Sequence, residues 1–217
     1  MLADEARFRD AVACFNVWAG TVPEDRRSGE WECNYGAWGE IQQAWKALLG
    51  VLPVARFSSD LVHDAIYAIA RDNECQWLAR DLSQVGTDGV RLLTEAALAS
   101  SPGEPDAKWQ LAVELGKCSL AEVEPLLLRL AVDADEYVRR RTLGTLARLG
   151  SPHVHALAEQ AWESAATDMP WTKMNVLWVL PRVGSPRLEA RLVEAEASTD
   201  ELLRGYAARV RSGTADP

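Results

Sequence analysis

Basic and aromatic residues recur at every fourth position in several parts of this chain. The sets are His63, Tyr67 and Arg71; Trp109, Val113 and Lys117; Arg140, Gly144 and Arg148; Met174, Trp178 and Arg182; and Gly205 with Arg209. Residues at i, i+4 and i+8 run along one face of a helix, so the sets together would align cations and π faces along it. None of the sets contains an acid, although the 217-residue chain carries a formal net charge of −9. Such a stripe suits an anion: an acidic protein segment, a nucleic-acid strand stacked on Tyr67, Trp109 and Trp178, or an anionic small molecule. A structural role competes with this one. Trp109, Met174 and Trp178 also suit an apolar core, and arginines near helix C-termini complement the helix dipole.

Bond-making chemistry is harder to find. His153 and His155 form an H-x-H near a helix start, but residues two apart on a helix do not face one another, and no Cys or carboxylate stands at a ligand spacing. His63 and Asp64 adjoin no evident nucleophile, and Ser58 and Ser59 read as helix-start residues. A phosphate-binding Gly-rich loop, a G-x-G-x-x-G turn, an H-E-x-x-H helix and a catalytic triad signature are all missing. Glu122 with Glu124, and Asp135 with Glu136, fall at turns and first helical turns, where negative charge offsets the dipole. No residue is therefore assigned to catalysis or to a metal, and no cofactor is expected.

The elements that must carry the stripe read as alternating helices. Val138, Thr142, Leu143, Leu146 and Leu149 fall at helical spacing after Asp133 and Asp135, and Gly150-Ser-Pro ends the run. Further helices are predicted over about 152–165, 170–182, 186–197 and 200–211, and upstream over 106–116, 120–132, 60–71, 74–82 and 88–99. The phrase Arg148-Leu-Gly-Ser-Pro152 returns as Arg182-Val-Gly-Ser-Pro186, an offset of 34, and a period of this size marks stacked helical units. Residues 100–105 form the clearest loop. The first 57 residues fit less well: helices are expected over 11–18 and 36–52, separated by a charged, aromatic loop over 20–35.

The stretch 133–150 resembles the HEAT-repeat family, in particular the short bacterial kind also found among bilin lyases, through Asp133, Asp135, Val138, Arg139, Leu143, Leu146 and Gly150. Thr172-Lys173, Leu203-Arg204 and Ala107-Lys108 take the Val-Arg place at offsets of 34, 65 and 31. Spacings this short also fit tetratricopeptide-like arrays. The resemblance implies an all-α solenoid of stacked antiparallel hairpins in one continuous domain. Residues 58–211 would be the repeats, 1–57 an atypical N-terminal cap and 212–217 a disordered tail. It also implies that the Val-Arg helices line a concave face, so that Tyr67, Arg71, Trp109, Lys117, Arg140, Arg148, Trp178 and Arg182 become candidate partner-binding residues. Asp135 and Arg139 would then make ladders between neighbouring repeats.

A second recognition element is the loop containing Glu30, Trp31, Glu32, Tyr35 and Trp38, whose aromatics flanked by acids suit a basic partner. The function expected is non-enzymatic recognition of a protein partner, as in an immunity protein, scaffold or regulatory adaptor. The rival is a nucleic-acid enzyme resembling HEAT-like alkylpurine DNA glycosylases, which share a basic, aromatic groove; the net acidity and the absence of a carboxylate on the stripe oppose it. A bilin-lyase-like role has no cysteine on the stripe to support it. The widely spaced Cys14, Cys33, Cys75 and Cys118 read as reduced packing residues. With a charged N-terminus and no apolar run of about 18 residues, a soluble cytoplasmic protein without membrane contact is expected.

Overall fold

Apolar residues at helical spacing, punctuated by Gly, Pro and Asp, fold this chain into helices. The computed structural model describes residues 2–27, 34–100, 104–165 and 169–215. Among these are twelve α-helices and no strand: α1 (Ala3–Thr21), α2 (Trp38–Val51), α3 (Ser59–Arg71), α4 (Trp77–Val85), α5 (Thr87–Ala99), α6 (Pro105–Leu115), α7 (Leu120–Leu130), α8 (Glu136–Leu149), α9 (Val154–Ser164), α10 (Pro170–Arg182), α11 (Leu188–Glu196) and α12 (Glu201–Ser212). The chain divides into two compact units, Met1–Cys118 and Ser119–Pro217.

In the first unit α1 packs on α2 and α3, α2 on α4, and α6 on α3, α4 and α5. The sequence pattern predicts only a short helix over 11–18, whereas α1 runs for 19 residues. Its buried residues, Phe8, Val12, Phe15 and Ala19, form one narrow stripe in a helix whose first half is charged. Trp38 and Tyr35 close on this stripe: the Phe15 ring lies 5.2 Å from that of Trp38 and 5.3 Å from that of Tyr35. Cys14 and Cys75 are exposed and only Cys118 is buried among the described cysteines, so the packing role expected of all of them is corrected for those two; Cys33 lies outside the described residues.

Asp72 ties α2, α3 and α4 together. Its buried carboxylate accepts from the Leu78 backbone N–H at 2.6 Å and from the N–H groups of Trp77 and the Trp38 side chain. These bonds hold a turn in which Gln76 takes φ +55°, the one non-glycine left-handed residue described. Burial is the main cause that raises the Asp72 pKa from 3.8 to about 6, against those hydrogen bonds. The folded state therefore holds this proton more tightly than the unfolded chain. Its stabilisation is complete below about pH 4 and is lost as the pH rises through about 6. Urea midpoints of wild type and Asp72→Asn between pH 4 and 7 are expected to show the variant gaining about 2 kcal/mol on the wild type across this window. A pH-independent difference would refute the raised pKa.

In the second unit α7 packs on α8, α9 on α10 and α11 on α12, while α10 also meets α8 and α12. Asp135 and Asp200 cap α8 and α12, accepting from the backbone N–H of Val138 at 3.0 Å and of Leu203 at 2.9 Å. Arg139 donates to the carbonyls of Asp133 and Ala134, each at 2.7 Å, and Arg204 donates to that of Ser198 at 2.7 Å. The signature Asp and Arg therefore close their own turn, which corrects the ladder between repeats expected of them. At the other end Gly150 and Gly184 take φ +73° and +61°, and the next residues, Ser151 and Ser185, donate back to the carbonyls of Leu146 and Leu180.

Candidate functional site

Three helices of the second unit converge on one open groove of about 370 Å³. From α8 come Arg140, Arg141, Gly144 and Arg148; from α10 come Trp171, Met174, Asn175 and Trp178; from α12 come Tyr206 and Arg209. No carboxylate lines it. Its floor depends on Gly144, where a Cβ would stand 3.5 Å from Cζ3 of Trp178; any longer side chain there would enter the space the indole uses. The α8 and α10 walls are joined by Asn175, whose Nδ2 donates to the Arg140 carbonyl at 3.1 Å.

Aromatic faces hold the guanidinium groups in place. Cζ of Arg140 lies 4.5 Å from the Tyr137 ring centre, that of Arg209 5.3 Å from Tyr206, and that of Arg182, just beyond the groove, 3.7 Å from Trp178. Arg140 also pairs with Glu136 at 3.2 Å, and Glu136 accepts from the Thr172 hydroxyl. Arg148 is exposed and donates to the Thr145 hydroxyl at 2.8 Å. Partial desolvation by the surrounding groove and then repulsion from Arg141 lower its pKa from the ordinary arginine value. Trp178 is only 9% exposed, and its buried indole N–H has no hydrogen-bond partner among the described residues. Trp171, by contrast, is 54% exposed and stands on the rim.

The remaining stripe residues are placed differently. In the first unit Tyr67 is half-buried against Phe15, with ring centres 6.1 Å apart, and Cζ of Arg71 lies over it at 4.7 Å. Arg71 also pairs with Glu104 at 3.3 Å. Trp109 is a core residue, 3% exposed, whose N–H donates to Asp106 at 3.1 Å. Lys117 pairs with Glu114 and reaches the Ser83 hydroxyl at 3.2 Å. Carboxylates thus stand beside both first-unit cations. Of the N-terminal recognition loop, Glu30, Trp31 and Glu32 lie outside the described residues, while Tyr35 and Trp38 belong to the aromatic packing around Phe15.

Stepping by four from the residue after each Arg position does not reach Arg141, Trp171 and Tyr206. They stand three residues before Gly144, Met174 and Arg209, and the i−3 neighbours share a helix face as the i+4 neighbours do. Chemically the groove can hold anions and aromatic or apolar side chains; no His, Cys, Lys, Asp or Glu is among its described lining residues. Among the described residues no three His, Cys, Asp or Glu side chains gather as metal ligands, and no helix is long and apolar enough to cross a membrane. Compared with known proteins, the chain matches no family model and no curated sequence.

Proposed function

We propose that this chain is a non-enzymatic binding protein that holds a partner protein in the groove between α8, α10 and α12. The observation that carries this reading is the lining itself: four arginines, two tryptophans and a tyrosine without a carboxylate. Tryptophan, tyrosine and arginine are the residue types that dominate protein–protein hot spots. Exposed Trp171 supplies the anchor at the rim, and the ring-supported guanidinium groups supply oriented donors at low entropic cost. A regulatory adaptor or immunity-type role in the cytoplasm is one form of this reading.

In this proposal the second unit is a run of short HEAT-like pairs, with α8, α10 and α12 as the inner layer of a solenoid. The contacts of α10 with both α8 and α12, and the repeated Asp cap and Arg turn closure, support it. Nucleic-acid binding is the competing reading. Against it stand the net charge of −9 and the Trp178 face, which Arg182 already covers.

The test is a pull-down from the source organism's lysate with wild type beside Arg140→Glu/Arg148→Glu/Arg209→Glu, identifying protein and nucleic acid together. The expected result is a discrete protein retained by the wild type and bound about 100-fold more weakly by the variant, whose helical content is unchanged. Loss of nucleic acid instead, or equal retention by both chains, would overturn the proposal.

A further inference from the structure

The charge of the groove says what kind of segment fills it, an inference that rests on the protein-binding reading above. The chain has 32 acidic residues against 23 Lys and Arg. Several arginines elsewhere meet carboxylates: Arg9 with Asp64, Arg71 with Glu104, Arg191 with Glu159 and Arg211 with Glu196. In the groove Arg140 keeps such a partner, Glu136 at 3.2 Å, but Arg148 and Arg209 do not. Arg148 has a hydroxyl as its partner and Arg209 has an aromatic ring, and neither reaches a carboxylate among the described residues. Arg141 adds a further positive charge close enough to repel Arg148.

Cations such as Arg148 and Arg209, held near other positive charge with no carboxylate of their own among the described residues, raise the energy of the free protein and are relieved by an external anion. Guanidinium forks favour planar carboxylates, which they bind through two parallel hydrogen bonds. The groove crosses three helices, and neighbouring packed helices lie about 8–10 Å apart, so its length suits an extended segment rather than one small ion. Along such a segment alternate side chains face the same side at about 7 Å intervals, a spacing that can serve arginines on successive helices. Met174, Trp178 and Tyr206 supply apolar wall for the methylene groups of the same side chains.

We infer that the groove binds an extended, aspartate- and glutamate-rich segment of the partner protein, with carboxylates held by Arg148 and Arg209. The peptide lies across α8, α10 and α12, and the Trp171 ring closes over one end. The same arrangement accounts for the exclusion of carboxylates from the lining, since an internal acid would compete with the guest.

The probe is a fluorescein-labelled peptide of six glutamates, titrated with the full chain at low salt and read by anisotropy. Saturable binding is expected, weakened about tenfold or more in Arg148→Gln/Arg209→Gln and by added salt, but unchanged in Arg129→Gln on the exposed side of α7. Unlabelled hexaglutamate is expected to displace the partner captured in the pull-down, and an oligothymidylate of twelve nucleotides is expected not to displace the labelled peptide. Absence of saturable binding, binding unaffected by the double variant, or displacement by the oligonucleotide would overturn the inference. A partner that is captured and lost with the groove arginines, yet ignores hexaglutamate, would overturn this inference alone and leave the protein-binding reading standing.

Discussion

Trp45→Ala is expected to lower the stability of the chain by about 4 kcal/mol. Trp45 is fully buried in the first unit, its ring 5.1 Å from that of Phe8 on α1 and 6.1 Å from that of Phe57. Its Nε1 donates to the Leu78 carbonyl on α4 at 3.0 Å, so one side chain packs three segments and satisfies its own polar atom. Alanine would leave a cavity that Phe8, Ile41 and Leu48, themselves fully buried, can fill only by moving their helices. Urea denaturation should show a lower midpoint with an unchanged slope. Trp45→Phe, which keeps an aromatic ring and loses the N–H, should cost about 1–2 kcal/mol. Equal midpoints for wild type and the alanine variant would refute the central role of this ring.

The second large effect belongs to Arg191, a 9% exposed arginine on α11. Its guanidinium joins Glu159 on α9, Glu194 at 3.0 Å and Glu163 at 3.4 Å, and lies 5.4 Å from the Trp162 ring centre. Glu194 in turn accepts from the Trp162 N–H at 2.8 Å. Removing the cation leaves these carboxylates facing one another, a loss of about 3 kcal/mol at neutral pH for Arg191→Ala. The hydrogen bond from Arg191 is the main cause that holds the Glu159 pKa below its ordinary value. Its contribution is therefore present above the unfolded glutamate pKa and lost as the pH falls through the lower folded one. The gap between wild type and variant should narrow in acid, and Arg191→Lys, with charge but no fork, should fall between the two. A gap that stays constant down to pH 3 would mean that packing of the arginine stem, not its charge, is what α11 needs.

The parts of the fold that local chemistry determines were legible in the sequence. The bounds of α8, α10 and α12 follow from Asp caps, a first-turn proline and left-handed glycines, signals that act within one turn of the helix. Helix α1 was not legible at full length, because Phe8 is the one buried residue of its first half and gives too weak an amphipathic signal among Asp4, Glu5, Arg7, Arg9 and Asp10. The candidate site divides in the same way. Four-residue stepping finds Arg140, Gly144, Arg148, Met174, Trp178 and Arg209 on faces that meet in one groove. The same stepping cannot distinguish Trp178 from Trp109, since a helix register says which way a side chain faces and not what covers it; Trp109 is covered by its own unit's core. Nor could spacing show that Arg71 meets Glu104, 33 residues further along the chain, whereas Glu114 and Lys117 stand at i and i+3 and their pairing follows from helical spacing.

The self-closing turns of the second unit bear on how such a chain changes over generations. Arg139 and Arg204 satisfy carbonyls of the turns that precede their own helices, and Gly150 and Gly184 end helices with bonds that look backward along the chain. A helix bounded in this way, as α8 is by Asp135, Arg139 and Gly150, carries its start and stop signals with it. Copying or deleting a stretch of about 34 residues, the interval between the two Gly-Ser-Pro sites, therefore transplants a finished cassette and not a broken one. On the repeat reading proposed above, length variation is expected in whole pairs, each bringing its own wall to a groove without redesign of the walls already there.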